Sequence, residues 1–183
     1  MGARLNAPRV PSRLAKGHGK IGDMPQTPTS FLTVTEDALE AMLEHFRREL
    51  PREGCGFLAG TRNRAYRFYP IHNQTPDLRR FSMDPLHVKR TEVSIFRRNQ
   101  RILAVCHSHP EGECYPSRYD VESAFFDAAL HWPYWEKEVQ IVALLSDPDS
   151  PLVKGFRYRV GGEVEEVELK TVRSEVGNIS TSP

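Results

Sequence analysis

The chain predicts a mixed α/β domain, because its apolar spacing switches repeatedly between the 3.6-residue period of a helix and the two-residue alternation of a strand. Strands come singly between helices in the first part and as a run in the last, with Gly and Pro punctuating the joins. That order fits one mixed β-sheet covered by helices better than a doubly wound parallel sheet. At 183 residues, 39% hydrophobic and 27% charged, the chain is long enough for one such domain with a real core.

Phe31–Thr35 reads as a short strand, and Leu39, Met42, Leu43, Phe46 and Leu50 then follow a helical period that stops at Pro51. Gly56–Gly60 reads as a buried strand, and Tyr66, Phe68 and Tyr69 as the next, running toward Asn73 and a polar loop around Pro76. Asp84 followed by Pro85 predicts an N-cap and first helical residue, with Val88, Ile95 and Phe96 on the buried face of a helix reaching about Asn99. A buried strand is expected at Ile102–His107 and a helix at Arg118–His131. Strands follow at Val139–Leu145, Phe156–Val160 and Val164–Val172, the last two joined as a hairpin at Gly161-Gly162.

Residues 1–28 mix Pro, Gly and Ala with Arg4, Arg9, Arg13, Lys16 and Lys20 and are expected to form a disordered basic tail. Residues 29–173 are the expected domain, and 174–183 a disordered C-terminal tail. A formal charge of +1 gives no global field toward nucleic acid or membrane. No apolar run approaches the roughly 18 residues of a membrane span. Three cysteines, an odd number, and the absence of a secretory leader point to a cytoplasmic protein.

The chemistry is concentrated in His107-Ser108-His109-Pro110 through Pro116-Ser117-Arg118-Tyr119-Asp120, directly after the apolar strand. Residues i and i+2 of an extended chain share a face, so His107 and His109 can present two imidazoles to one point. Asp120 completes the set if the intervening loop turns the next helix back. Two imidazoles and one carboxylate suit a catalytic zinc, with a fourth position left for water. Ser117 and Asp120 also stand at the spacing of an N-cap and its N3 partner, which by itself is only a capping box. Cys106 should face away from the histidines by strand alternation, and Cys114 and Cys55 read as packing or loop thiols.

Hydrolysis of an amide also needs a group to take a proton from water and return it to the leaving nitrogen. Glu53, in Pro51-Arg52-Glu53-Gly54-Cys55-Gly56, is a helix-end acid on its own. Together with the downstream motif, however, it resembles the JAMM or MPN-plus metallopeptidases, which pair an upstream Glu with His-x-His-Pro, Ser and Asp. The resemblance covers roughly Phe31 to Leu169. It implies the MPN, cytidine-deaminase-like fold, Zn2+ held by His107, His109 and Asp120, Glu53 as general acid/base, and Ser117 as a stabiliser of the oxyanion.

The chain looks most like the small prokaryotic stand-alone branch, which implies a ubiquitin-like or sulfur-carrier protein with a Gly-Gly tail as substrate. Such a tail could lie along a free sheet edge. Three other readings compete. A non-catalytic MPN scaffold would have lost ligands that are intact here. A RadC-like domain shares a similar His-x-His-Pro…Pro-Ser-x-x-Asp segment, but its upstream helix-hairpin-helix signals are missing. A nucleoside deaminase needs His-x-Glu and Pro-Cys-x-x-Cys, and neither is present.

Overall fold

A computed structural model of the protein describes residues 31–125 and 134–174. The expected N-terminal tail lies outside these residues, as does all but the first residue of the expected C-terminal tail. Seven strands and three helices follow in the order β1 (Phe31–Thr35), α1 (Glu36–Glu49), β2 (Cys55–Thr61), β3 (Arg64–Ile71), α2 (Pro85–Arg97), β4 (Arg101–His109), α3 (Arg118–Ser123), β5 (Val139–Leu144), β6 (Leu152–Tyr158) and β7 (Val164–Val172).

The sheet is mixed, as the element order predicts, and it closes on itself in the order β1-β3-β2-β4-β5-β6-β7. Closure comes from β1, which runs parallel to both β3 and β7. β4 and β5 are also parallel, and the remaining pairs are antiparallel. Each strand therefore has a hydrogen-bonded neighbour on both sides, and the free edge expected to receive a substrate tail is not present among the described strands.

The first helix is set by Thr35, whose side chain accepts from the Ala38 N–H, and it buries Ala38, Met42, Leu43 and Phe46 along one stripe. That stripe packs with Leu58, Ala104, Cys106 and Ile141 in the larger core cluster. The other face of β2 and β4 carries Cys55, Phe57 and Val105, which pack with Ile71 and with Ile95 of α2. Cys106 thus points away from the histidine face, as strand alternation requires.

Asp84 caps α2 as expected, accepting from the Leu86 and His87 N–H groups, with Pro85 in the first turn. Its buried face is Thr91 and Ile95, with Val88 partly covered, and not Phe96, which is 79% exposed. One residue beyond Ile95 is a 100° turn around the helix, and that turn carries Phe96 off the narrow stripe facing the sheet. The helix after the motif is also shorter than expected. It ends at Ser123 with Ala124 as C-cap, and the rest of the expected span, from 126 onward, lies outside the described residues. The β6–β7 hairpin turns as expected at Gly161 and Gly162, whose φ of 86° and 79° are the left-handed values that favour glycine.

Candidate metal centre

Antiparallel pairing of β2 with β4 builds the site. Cys55 pairs with His107, and the ladder continues past β2, where the Ser108 N–H donates to the Gly54 carbonyl at 3.0 Å and the Gly54 N–H to Ser108 Oγ at 2.8 Å. Directly paired residues of an antiparallel ladder share a face, so Glu53 falls on the side that carries His107 and His109. Gly54 lets this backbone press against α1, because a Cβ there would lie 2.5 Å from the ring of Phe46. Glu53 is brought into the interior by this pairing and is 4% exposed.

His107, His109 and Asp120 meet as the sequence predicts, all three buried. His107 Nε2 and His109 Nε2 are 3.2 Å apart, and Asp120 Oδ2 lies 3.5 Å and 3.4 Å from them. Tetrahedral zinc with ligands at about 2.0–2.1 Å requires its donor atoms to be about 3.3–3.4 Å apart, so the triangle matches that spacing. His109 Nδ1 stands 2.9 Å from the Glu113 carbonyl, a pure acceptor, so Nδ1 carries the hydrogen and neutral His109 turns a lone pair toward the centre. The His107 ring is stacked on Phe81, with centroids 4.6 Å apart and planes 24° apart. His107 Nδ1 and Glu53 Oε2 are buried without a hydrogen-bond partner among the described residues. Converging lone pairs with unused buried donors and acceptors fit a divalent cation.

The electrostatics favour positive charge at this centre. Burial alone would lower the His109 pKa, but Asp120 and the Glu113 carbonyl outweigh it and raise it. Burial would likewise raise the Asp120 carboxyl, yet hydrogen bonds to His107, His109 and Ser117 hold it well below the usual carboxylate range. Glu53 has no such compensation. Burial pushes it up to about 8, with Asp120 and Asp77 opposing ionisation and His109 favouring it.

That shift has a consequence for the metal-free protein. Glu53 in the unfolded chain ionises near 4.5 while the folded carboxyl holds its proton to about 8, so the folded state loses stability across that window. Glu53→Gln is therefore expected to make the metal-free protein more stable above pH 8, by up to about 5 kcal/mol, and to change little below pH 4. Urea titrations of both proteins after chelation, at pH 4 and pH 8.5, measure the difference.

Ser117 caps α3. Its hydroxyl accepts from the Asp120 N–H at 3.2 Å, and Asp120 Oδ2 accepts from the Ser117 N–H at 2.7 Å. The capping box is thus formed by the same carboxylate oxygen that faces the imidazoles, so local helix chemistry and the candidate ligand role are one arrangement. Cys114 Sγ faces the carbonyls of Val142 and Leu152 and lies outside the donor triangle. Burial pushes the Cys55 thiol up to about 12 and raises that of Cys106, so neither supplies a thiolate.

A cleft of about 860 Å³ opens onto Glu53, His109 and Ser117, between Leu78 and Arg79 on one side and residues 110–117 on the other. Arg79 reaches Glu111 across it at 3.5 Å, and the Arg80 guanidinium sits 4.4 Å from the Tyr119 ring centroid. The roles of Phe81, Asn73 and the Glu113 carbonyl are not legible in the sequence. Phe81 and Asn73 lie in a loop without periodicity, and a carbonyl leaves no trace in the identity of its residue.

Residues 35–150 match the family described as prokaryotic homologs of the JAB domain. The chain belongs to the prokaryotic JAB family. A protein of Thermus thermophilus named "Probable TtuB-protein conjugate cleaving protease" is 36% identical to this JAB protein over 94 residues, 51% of this chain and 63% of the relative. The match thus spans less than two thirds of that relative's length. The CysO-cysteine peptidase of Mycobacterium tuberculosis is 32% identical over 137 residues, 74% of this chain and 88% of the relative. The solution structure of a protein from Desulfitobacterium hafniense superposes on the JAB domain with a TM-score of 0.68 at 30% identity, covering 79% of this chain and 94% of the other. Among the described residues no helix is long and apolar enough to cross a membrane.

Proposed function

We propose that this JAB protein is a zinc-dependent peptidase that hydrolyses the amide bond at the Gly-Gly tail of a ubiquitin-like or sulfur-carrier protein. The observation that carries the reading is the convergence of His107 Nε2, His109 Nε2 and Asp120 Oδ2, at zinc-ligand spacing, beside a buried carboxyl with an unpartnered oxygen. Relatives named as peptidases support the same class of reaction.

His107, His109 and Asp120 would hold the ion. Bound there, zinc would polarise the scissile carbonyl and acidify water. A cation held beside it would favour the ionised form of Glu53, whose carboxylate takes the proton from the attacking water and delivers it to the leaving nitrogen, so the base of the first step is the acid of the second. Burial of Glu53 keeps bulk water from competing for that proton. Ser117, on the cleft wall, directs its hydroxyl hydrogen to the oxygen that becomes negative while its lone pair caps α3.

The cleft suits a slender tail. Pro51, Pro110 and Pro116 stiffen its lining, and with no free edge among the described strands the tail is gripped by the two loops. The exposed charges of its described lining are two acids, Glu111 and Glu113, and one cation, Arg79, which opposes a nucleic-acid reading.

Two experiments follow. Zinc-loaded protein incubated with ubiquitin-like carriers extended beyond Gly-Gly should release the extension, seen by intact mass. Cleavage that persists unchanged after chelation, or none across the carrier panel, would contradict the reading. Ser117→Ala should destabilise the fold by about 1 kcal/mol through the lost cap. It should also lower kcat by on the order of 10- to 100-fold per folded molecule. A loss of activity no larger than the loss of folded fraction would leave Ser117 as a cap only.

A further inference from the structure

The Glu53 carboxyl has an oxygen with no partner, so its position is set by the main chain that carries it. On the C-terminal side that main chain is fixed by the paired bonds between Gly54 and Ser108. At the carbonyl end of that same 53–54 peptide the clamp is Asn73, which is 1% exposed. Its amide nitrogen donates to the Glu53 carbonyl at 2.9 Å and to the Arg80 carbonyl at 3.2 Å. Its side-chain oxygen accepts from the Thr75 N–H at 3.2 Å and the Ser82 N–H at 3.0 Å. Both donors and both lone pairs of the amide are therefore used.

The same neck is fastened a second time. The Arg52 guanidinium donates to the Asn73 and Thr75 carbonyls, and Asn73 pairs with Met83 across the base of the loop. The loop so closed carries Leu78 and Arg79, the wall of the cleft that faces residues 110–117. A buried side chain with four satisfied hydrogen bonds is rigid, because breaking any one leaves a polar group stranded.

We propose that Asn73 is a positioning residue for Glu53, holding the main chain of the base and tying its placement to the loop that contacts the substrate. The inference rests on Glu53 being the base. Asn73 touches neither the substrate nor the donor triangle, so its loss should act on turnover more than on substrate or metal binding. A displacement of about 1 Å at a reacting group costs up to about 100-fold in rate.

The test compares Asn73→Ala and Asn73→Asp with Gln74→Ala, which perturbs the same loop on its exposed side by removing a 3.1 Å bond to Ser82. Asn73→Asp keeps both acceptors and removes both donors. Per folded, metal-loaded molecule, both Asn73 variants should lose about 10- to 100-fold in kcat with KM within about threefold, and Gln74→Ala should stay within about twofold of wild type. Independently of activity, amide hydrogen exchange over residues 52–55 should accelerate at least about fivefold in Asn73→Ala and not in Gln74→Ala.

Wild-type kcat in Asn73→Ala, an equal loss in Gln74→Ala, or unchanged exchange at 52–55 would overturn the inference. No cleavage by the wild-type protein would instead overturn the peptidase reading on which it rests.

Discussion

Glu53→Gln is expected to retain one zinc per chain and to cleave about 10²- to 10⁴-fold more slowly than wild type. The amide is close in shape to the carboxyl and keeps an oxygen, but it cannot take a proton from water and hand it to nitrogen. Glu53 lies outside the donor triangle, so the substitution removes no ligand from the metal. The contrast with the stability prediction sharpens the test. A substitution that stabilises the metal-free fold at high pH while abolishing turnover cannot be dismissed as damage to the fold. Full activity in Glu53→Gln would sink the assignment of the base.

Asp120→Ala is expected to lose metal, turnover and stability together. The carboxylate supplies one corner of the donor triangle and closes the capping box through the Ser117 N–H. Removing it leaves two imidazoles without their anionic partner, and affinity for zinc should fall by at least about 100-fold. The lost cap should cost about 1 kcal/mol more, visible in metal-free protein by denaturant titration. In that metal-free state the sign with pH follows from the depressed carboxyl. Its contribution is fully present above the ordinary Asp value, is lost as pH falls through the folded one, and should be missing from the acid-unfolding curve of Asp120→Ala. Retention of stoichiometric zinc in the variant would rule Asp120 out as a ligand.

Much of this was legible in the residues because the physics was local. Asp84-Pro85 marked the start of α2, Gly161-Gly162 the β6–β7 hairpin, and His-x-His at a strand end the shared face of two imidazoles. Glu53 was legible only through the resemblance. Its place opposite the histidines depends on the register of two strands some 50 residues apart, which nothing in its neighbours specifies. Closure of the sheet was hidden for the same reason, since β1 meets β7 through long-range pairing. Phe96 was misplaced because its helix presents a narrow face, so spacing alone could not separate residue 95 from 96. Asn73 in its loop carried no periodic signal at all, yet holds four hydrogen bonds.

Whether His107, His109 and Asp120 hold zinc is decided by elemental analysis of protein purified without a polyhistidine tag, alongside His109→Ala and corrected for folded fraction. About one zinc per chain in the wild type, lost in the variant, is the predicted result. No zinc in the wild type after controlled reconstitution, or equal zinc in both proteins, would contradict the account.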